Sequence, residues 1–327
     1  MIPSRIISAL ETLISLRQPM FIWGAPGVGK SQVVAQVAAR LGLELLDVRA
    51  ILLDPVDLRG LPRVDADNRA HWSPPAFLPS RGKGVLFLDE LNAAPPLVQA
   101  ACYQLVLDRR LGEYELPDGW TIIAAGNRET DKSVTHRMPS ALANRFVHLD
   151  FEADLDDWLS WADTAAIDPR VKAFLRFRPN LLLDFDPKRP DKAFATPRSW
   201  EFVSRILASG PDGHVLLDLC RGTVGQGPAA EFLGFLDIFQ RIPDPEAILA
   251  DPSRSPVPDE PAVLYALCEG LSRHMRDSQA EALVTYALRL PAEFSVLLMR
   301  DAVRRNPDMV DTEAFAAWAR KHSDVLL

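Results

Sequence analysis

Several things are scarce in this sequence, and each scarcity excludes something. Its 327 residues hold three cysteines, Cys102, Cys220 and Cys268, far apart and without a CxxC pair. That argues against a disulfide framework and suits a reducing compartment such as the cytoplasm. The six histidines are scattered and form no metal constellation. No apolar run is long enough to span a bilayer. The first residues, MIPSRIISALETLISL, are amphipathic, are interrupted by Glu11 and lack a small-residue cleavage site, so a signal peptide is not expected. Low-complexity tracts and internal repeats are absent too. A basic surplus is missing as well: net charge is −8, with 16 basic and 16 acidic residues in 1–150, leaving 20 and 28 for the remainder. Nucleic-acid binders usually carry the opposite balance, because affinity for phosphates comes from released counterions.

What is present begins with alternation. Over residues 1–150, short apolar runs alternate with helical patterns, which predicts an α/β domain. MFIW (20–23), LELLDVR (43–49), GVLFLDE (84–90), TIIAAGN (121–127) and FVHLDF (146–151) are the expected strands. SQVVAQVAARLG is the expected first crossover helix, stopped by Gly42. Two segments interrupt the pattern: the Pro/Asp-rich stretch 54–81, and RRLGEYELPDGW (109–120), read as a hairpin with a Pro-Asp-Gly turn. After residue 151 the pattern is helical, with a Pro-rich break from Ile242 to Pro261. The expected division is 1–151 as an α/β domain, 152–242 as an all-α domain, and 243–327 as a helical extension.

The chemistry sits at the ends of the predicted strands. Gly24-Ala25-Pro26-Gly27-Val28-Gly29-Lys30-Ser31 matches G-x-x-x-x-G-K-[ST] in full, between a strand and a helix, as a P-loop requires. Backbone N–H groups of such a loop wrap phosphates at the positive end of the helix, and Lys30 adds a point charge. The contacting segment is expected to run on to Gln32. Ser31 and Asp89, at the end of the most apolar strand, are the expected Mg²⁺ ligands. Glu90 would polarise the attacking water, and Asn127, closing the next strand, would bond the γ-phosphate or that water. The tryptophans Trp158, Trp161 and Trp200 fall at helical spacing and read as core. In the 54–81 stretch, Arg63, Asp65, Arg69, His71 and Trp72 are open to two readings, as substrate contacts in a central pore or as a solvated loop with a buried Trp.

The order P-loop, DE strand, Asn-ended strand, ALANRF and helical half resembles the AAA+ ATPases. LFLDELNAAPPLVQAACYQLVLDRRLGEYELPDGWTIIAAGN, DLRGLP and AHWSPPAFLP are most similar to the MoxR-like branch, whose helix-2 insert would be 54–81. The resemblance covers residues 20–210 well and the last third loosely. It implies ATP with Mg²⁺, a homo-oligomer of hexameric type, a protein client and a partner with a von Willebrand factor A domain. It places a trans-acting arginine finger at Arg145, with Arg137 as rival, and a second-sensor arginine at Arg198. Two other functions share the cradle, a DNA-acting motor of the same superclade and a small-molecule P-loop kinase.

Overall fold

Strand pairing in the first half follows from how apolar the strands are. In chain order they are β1 (Met20–Trp23), β2 (Glu44–Arg49), β3 (Leu61–Val64), β4 (Ala70–Ser73), β5 (Lys83–Asp89), β6 (Arg110–Leu111), β7 (Tyr114–Glu115), β8 (Gly119–Gly126) and β9 (Val147–Asp150). The helices used below are α1 (Pro3–Ser15), α2 (Lys30–Arg40), α3 (Pro55–Arg59), α4 (Pro96–Asp108), α5 (Ser140–Ala143), α6 (Leu155–Thr164), α7 (Pro169–Phe177), α8 (Pro197–Ala208), α9 (Gly213–Val224), α10 (Gln226–Phe239), α11 (Pro245–Ala250), α12 (Pro261–His274), α13 (Ala280–Ala287), α14 (Ala292–Arg305) and α15 (Glu313–Lys321). The computed structural model describes residues 1–131, 138–239 and 242–322. The chain divides into two units, the first comprising Met1–Trp158, Leu183–Asp191 and Thr196–Arg198.

In the first unit, five strands form a parallel sheet in the order β2-β5-β8-β1-β9. Side chains alternate across it, and both faces are covered. Met20, Ile22, Phe87 and Ile123 pack with Ile6 and Leu10 of α1 and Val34 and Val37 of α2. Phe21, Leu86, Leu88 and Ile122 face the other way, against Val98, Cys102 and Leu105 of α4. Burial on both faces is why these strands read as continuous apolar runs instead of alternating ones. The five expected strands and the α/β class are found as read, with ends shifted by a residue or two.

Both interruptions are hairpins. The 54–81 stretch folds as α3 and then an antiparallel β3–β4 pair, in register from Leu61↔Ser73 to Val64↔Ala70. Its turn is closed by the Asp65 carboxylate, which accepts from the Asp67 and Arg69 amides, both at 2.9 Å. Arg63, Asp65, Arg69, His71 and Trp72 are all exposed, so Trp72 is not the buried anchor of a loop. The 109–120 hairpin exists, but its turn differs from the expected one. The pairs Arg110↔Glu115 and Leu111↔Tyr114 place the tip at Gly112-Glu113, with Gly112 at φ +61°. Pro117-Asp118-Gly119 is a separate turn into β8, closed by Trp120 N–H donating to Pro117 O at 3.0 Å. Two-residue turns need positive φ, and Gly112 supplies it where Pro117 cannot.

The second unit, Leu159–Leu182, Lys192–Ala195 and Ser199–Leu327, is helical. One part of its core is aromatic, with Phe174, Trp200, Phe232 and Phe235 in ring contact. At its centre, Glu269 of α12 is fully buried. Its carboxylate receives Lys172 at 2.8 Å and Arg176 at 2.6 Å from α7, and Arg305 at 2.8 Å from α14. Asp301 lies 2.8 Å from Arg176, and Asp163 of α6 lies 2.7 Å from Lys172. Three cations thus face three carboxylates, joining helices on both sides of the Pro-rich 242–261 stretch. Burial alone would raise the Glu269 pKa, but Arg176, Arg305 and Lys172 outweigh it and hold the carboxyl below its ordinary value.

Removing one member of such a network leaves buried charge uncompensated. Glu269→Ala is therefore expected to lower the unfolding free energy by about 3–5 kcal/mol, read from urea denaturation. Because the Glu269 pKa is depressed on folding, its contribution is present above the ordinary carboxylate range and fades as pH falls through the depressed value. A wild-type-like denaturation midpoint in Glu269→Ala would rule this out.

Candidate functional site

A sheet covered on both faces leaves its strand ends as the place for polar groups. β5, β8 and β1 are consecutive neighbours, and Trp23 lies opposite Gly126 in register. The segments that leave their carboxyl ends therefore meet: the 24–29 loop after β1, Asp89-Glu90 after β5 and Asn127 after β8. This is the edge where open α/β sheets place ligands.

The loop from Gly24 to Gly29 is built for close backbone approach. Gly29, at φ +107°, caps α2, and Gly27 lies at φ +74°. A Cβ at Gly27 would sit 2.7 Å from Thr196 Oγ1, so the left-handed conformation and the neighbour both demand glycine there. Ala25 and Val28 turn their side chains into the core and anchor the loop. Pro26 is half-buried, and Gln32 is exposed in the first turn of α2. Arg198 N–H donates to Gly27 O at 3.2 Å, so the start of α8 touches the loop directly. The Arg198 side chain is exposed, and its charge lies near enough to lower the Lys30 pKa.

Lys30 reaches back over the loop. Its Nζ donates to Gly24 O at 2.7 Å, Ala25 O at 3.1 Å and Asn127 Oδ1 at 3.2 Å. Burial pushes its pKa down to about 8, partly offset by Asp89, Asp131 and Glu90. Ser31 Oγ donates to Asp89 Oδ2 at 3.1 Å, and the Glu90 amide donates to Asp89 Oδ1 at 3.0 Å. Glu90 itself is exposed and left-handed, at φ 55°. Lys30, Ser31, Asp89, Glu90 and Asn127 are thus brought together around the loop, an arrangement able to hold phosphates and present a carboxylate beside them.

Arg145 is not part of that group within its own chain. It is exposed in the turn after α5, its amide bonded to Leu142 O at 3.0 Å. Among the described residues no carboxylate pairs with its guanidinium, and the nearby carboxylate of Asp150 lies 3.8 Å from Arg128. Arg137, the rival arginine, lies outside the described residues.

Three groups escaped the sequence. Asp131 accepts from the Arg128 amide at 3.0 Å and acts on the Lys30 charge. Asp47 lies on the strand beside Asp89, and burial together with Asp89 pushes its carboxyl up. Asn92, two residues past Glu90, is buried and donates from Nδ2 to Asn127 O at 2.7 Å. Each is an ordinary polar residue by type, visible only once strand order is known.

Comparison with known proteins bears on this geometry. Residues 19–146 match the family model of the AAA domain (dynein-related subfamily). Midasin of Giardia intestinalis is 31% identical over 172 residues, which is 48% of this chain and 4% of midasin. Human ATPase family gene 2 protein homolog B is 37% identical over 97 residues, 29% of this chain and 12% of that protein. This chain therefore spans a small part of the length of these relatives. Among solved structures, NtrX from Brucella abortus in complex with ADP is 17% identical at a TM-score of 0.44, covering 99% of this chain and 68% of that one. RuvB from Thermotoga maritima is 16% identical at a TM-score of 0.41, covering 82% and 80%. The match to an AAA domain covers the span that holds the loop, Asp89-Glu90 and Asn127, the groups that the geometry brings together. The matched branch is the dynein-related one.

Lys30 gives this site a pH signature. With a pKa of about 8 it is partly neutral above that pH, whereas bound phosphate favours the ammonium form. ATP binding above pH 8 is therefore expected to take up protons, and affinity to fall as pH rises through that value. Calorimetry in two buffers of different ionisation enthalpy measures the uptake, which Lys30→Met should abolish. Identical enthalpies in the two buffers would contradict the assignment.

Proposed function

We propose that this chain is a ring-forming AAA+ ATPase of the MoxR-like type that remodels a protein client, in partnership with a von Willebrand factor A domain protein. The observation that carries hydrolysis is the meeting of Lys30, Ser31–Asp89, Glu90 and Asn127 at one sheet edge. In this reading the loop amides and Lys30 bind the β- and γ-phosphates. Ser31 and Asp89 form an all-oxygen pair suited to Mg²⁺, whose remaining ligands would come from the nucleotide and water. Among the described residues no cluster of three or more His, Cys, Asp or Glu competes as a metal site. When bound, Mg²⁺ neutralises phosphate charge. Glu90 orients the attacking water and takes its proton on a carboxylate oxygen. Asn127 accepts from Lys30 through Oδ1, so its amide keeps a donor, the right sign for a phosphate oxygen. Arg198 acts from the start of α8, with 152–242 as lid and 243–327 as helical extension.

Oligomerisation enters through Arg145. An exposed guanidinium with no carboxylate partner among the described residues suits an arginine offered to the ATP of a neighbouring subunit, where it would stabilise charge on the transferred phosphoryl group. A protein client is favoured over DNA by charge. The tip of the 109–120 hairpin is acidic, with Glu113, which repels phosphates; the 54–81 insert carries mixed charge, and the chain is acidic overall.

Arg145→Ala should lower ATPase activity about a thousandfold or more while leaving ATP binding intact. Mixing it with Glu90→Gln subunits, themselves inactive, should restore activity, since those subunits supply Arg145 to the intact sites. An ATP-dependent shift to a larger species in sedimentation should accompany it. A fully active monomer, or no restoration on mixing, would overturn the shared-site reading. A Glu90→Gln pull-down with ATP tests for a protein client.

A further inference from the structure

We propose that Asn92 is a positioning residue for hydrolysis, holding Asn127 in place from the turn that carries Glu90. The inference rests on the ATPase reading above. Asn92 lies in the 3-10 turn Leu91–Ala93 that directly follows Glu90. It is 1% exposed, a depth at which an amide needs partners. Its Nδ2 donates to the main-chain oxygen of Asn127 at 2.7 Å, across 35 residues of sequence. The β5–β8 ladder ends at Leu88↔Ala124, so this side-chain bond joins the two strand ends beyond the last backbone pair.

The turn is held in turn by its surroundings. Ala93 N–H bonds to Glu90 O at 3.0 Å, and Gln99 of α4, also 1% exposed, donates to Ala94 O at 3.0 Å. On its other side the Asn92 amide fills the space that a side chain at Gly126 would need. A Cβ there would stand 2.0 Å from Asn92 Oδ1 and 2.6 Å from its Cγ. That oxygen has no hydrogen-bond partner among the described residues. A buried amide satisfied on one side only is a poor choice for stability alone, where an apolar side chain would avoid the unmet oxygen. What it adds is a link from the Glu90 turn through Asn92 to Asn127, whose Oδ1 meets Lys30 at 3.2 Å. The neighbouring peptides have their own partners, Gly126 O in the Gly24 amide and the Arg128 amide in Asp131, and Asn92 supplies the bond to the Asn127 oxygen between them.

The test is a double-mutant cycle on kcat. Asn92→Ala should lower kcat by about tenfold to a hundredfold, the range for a misplaced catalytic group. KM and Kd for ATP should stay within about twofold, because only the transition state is affected. In an Asn127→Ala background, Asn92→Ala should produce no further loss, since there is no Asn127 amide left to position. Asn92→Leu, of similar volume, should behave like Asn92→Ala, and thermal melts establish that each variant folds. Losses in kcat that multiply between Asn92→Ala and Asn127→Ala would mark general softening and overturn the proposal. So would an unchanged kcat in both Asn92 variants beside an active wild type. A wild-type chain that hydrolyses no ATP would instead overturn the ATPase reading, and this assignment with it.

Discussion

Both faces of the five-stranded sheet are buried, and from this constraint the rest of the first unit follows. Parallel strands covered on two sides carry apolar side chains nearly throughout, so polar chemistry is displaced to where the chain leaves them. Because β8 lies between β5 and β1, three such exits fall side by side. A phosphate loop, an acidic pair and an amide become neighbours without any contact between their sequences. The site results from strand order, and its precision depends on what happens in the few residues after each strand.

Those residues show how burial changes the meaning of a charge. Lys30 spends its donors on two carbonyls and an amide oxygen, none of them ionised, and burial lowers its pKa to about 8. Asp89, Asp131 and Glu90 act on it through space and restore only part of the loss. In the helical unit, Lys172 is more deeply placed but meets two carboxylates, Asp163 at 2.7 Å and Glu269 at 2.8 Å. One arrangement leaves a cation in need of anionic charge. The other is closed on itself. The same desolvation thus gives a receptive group in the first unit and a structural one in the second.

How much of this was legible in the sequence depends on how local the cause was. β1 and the loop after it were readable because the glycines, Lys30 and Ser31 are contiguous and their roles are set by backbone conformation. Asp89-Glu90 and Asn127 were readable because each ends a strongly apolar run. The hairpin tip at Gly112 was misplaced because Pro-Asp-Gly is the stronger turn signal in isolation, yet cross-strand pairing chose the two-residue turn. Asn92 and Asp131 carried no local mark. Nothing within a few residues of Asn92 says that its amide will lie under Gly126, because that depends on β8 settling next to β5. The contact of Thr196 with Gly27 was equally out of reach, since it joins residues far apart in the chain.

The glycines sharpen this point. Gly27 is needed for a left-handed backbone and because Thr196 crowds it, and Gly126 because Asn92 occupies its Cβ position. Each glycine therefore records a side chain from elsewhere pressed against the phosphate-binding edge. From one side comes the start of α8, where Arg198 N–H bonds to Gly27 O; from the other comes the turn after Glu90. The loop meets the first directly and the second through Asn127, whose Oδ1 accepts from Lys30, so a shift in either is transmitted to the loop. An arginine such as Arg145 that is exposed and meets no carboxylate among the described residues stands outside this clamp. If it acts on the same phosphates it must do so in another chain, and the clamp then supplies what a shared site requires: a loop that its own subunit has already held in place before the neighbour's charge arrives.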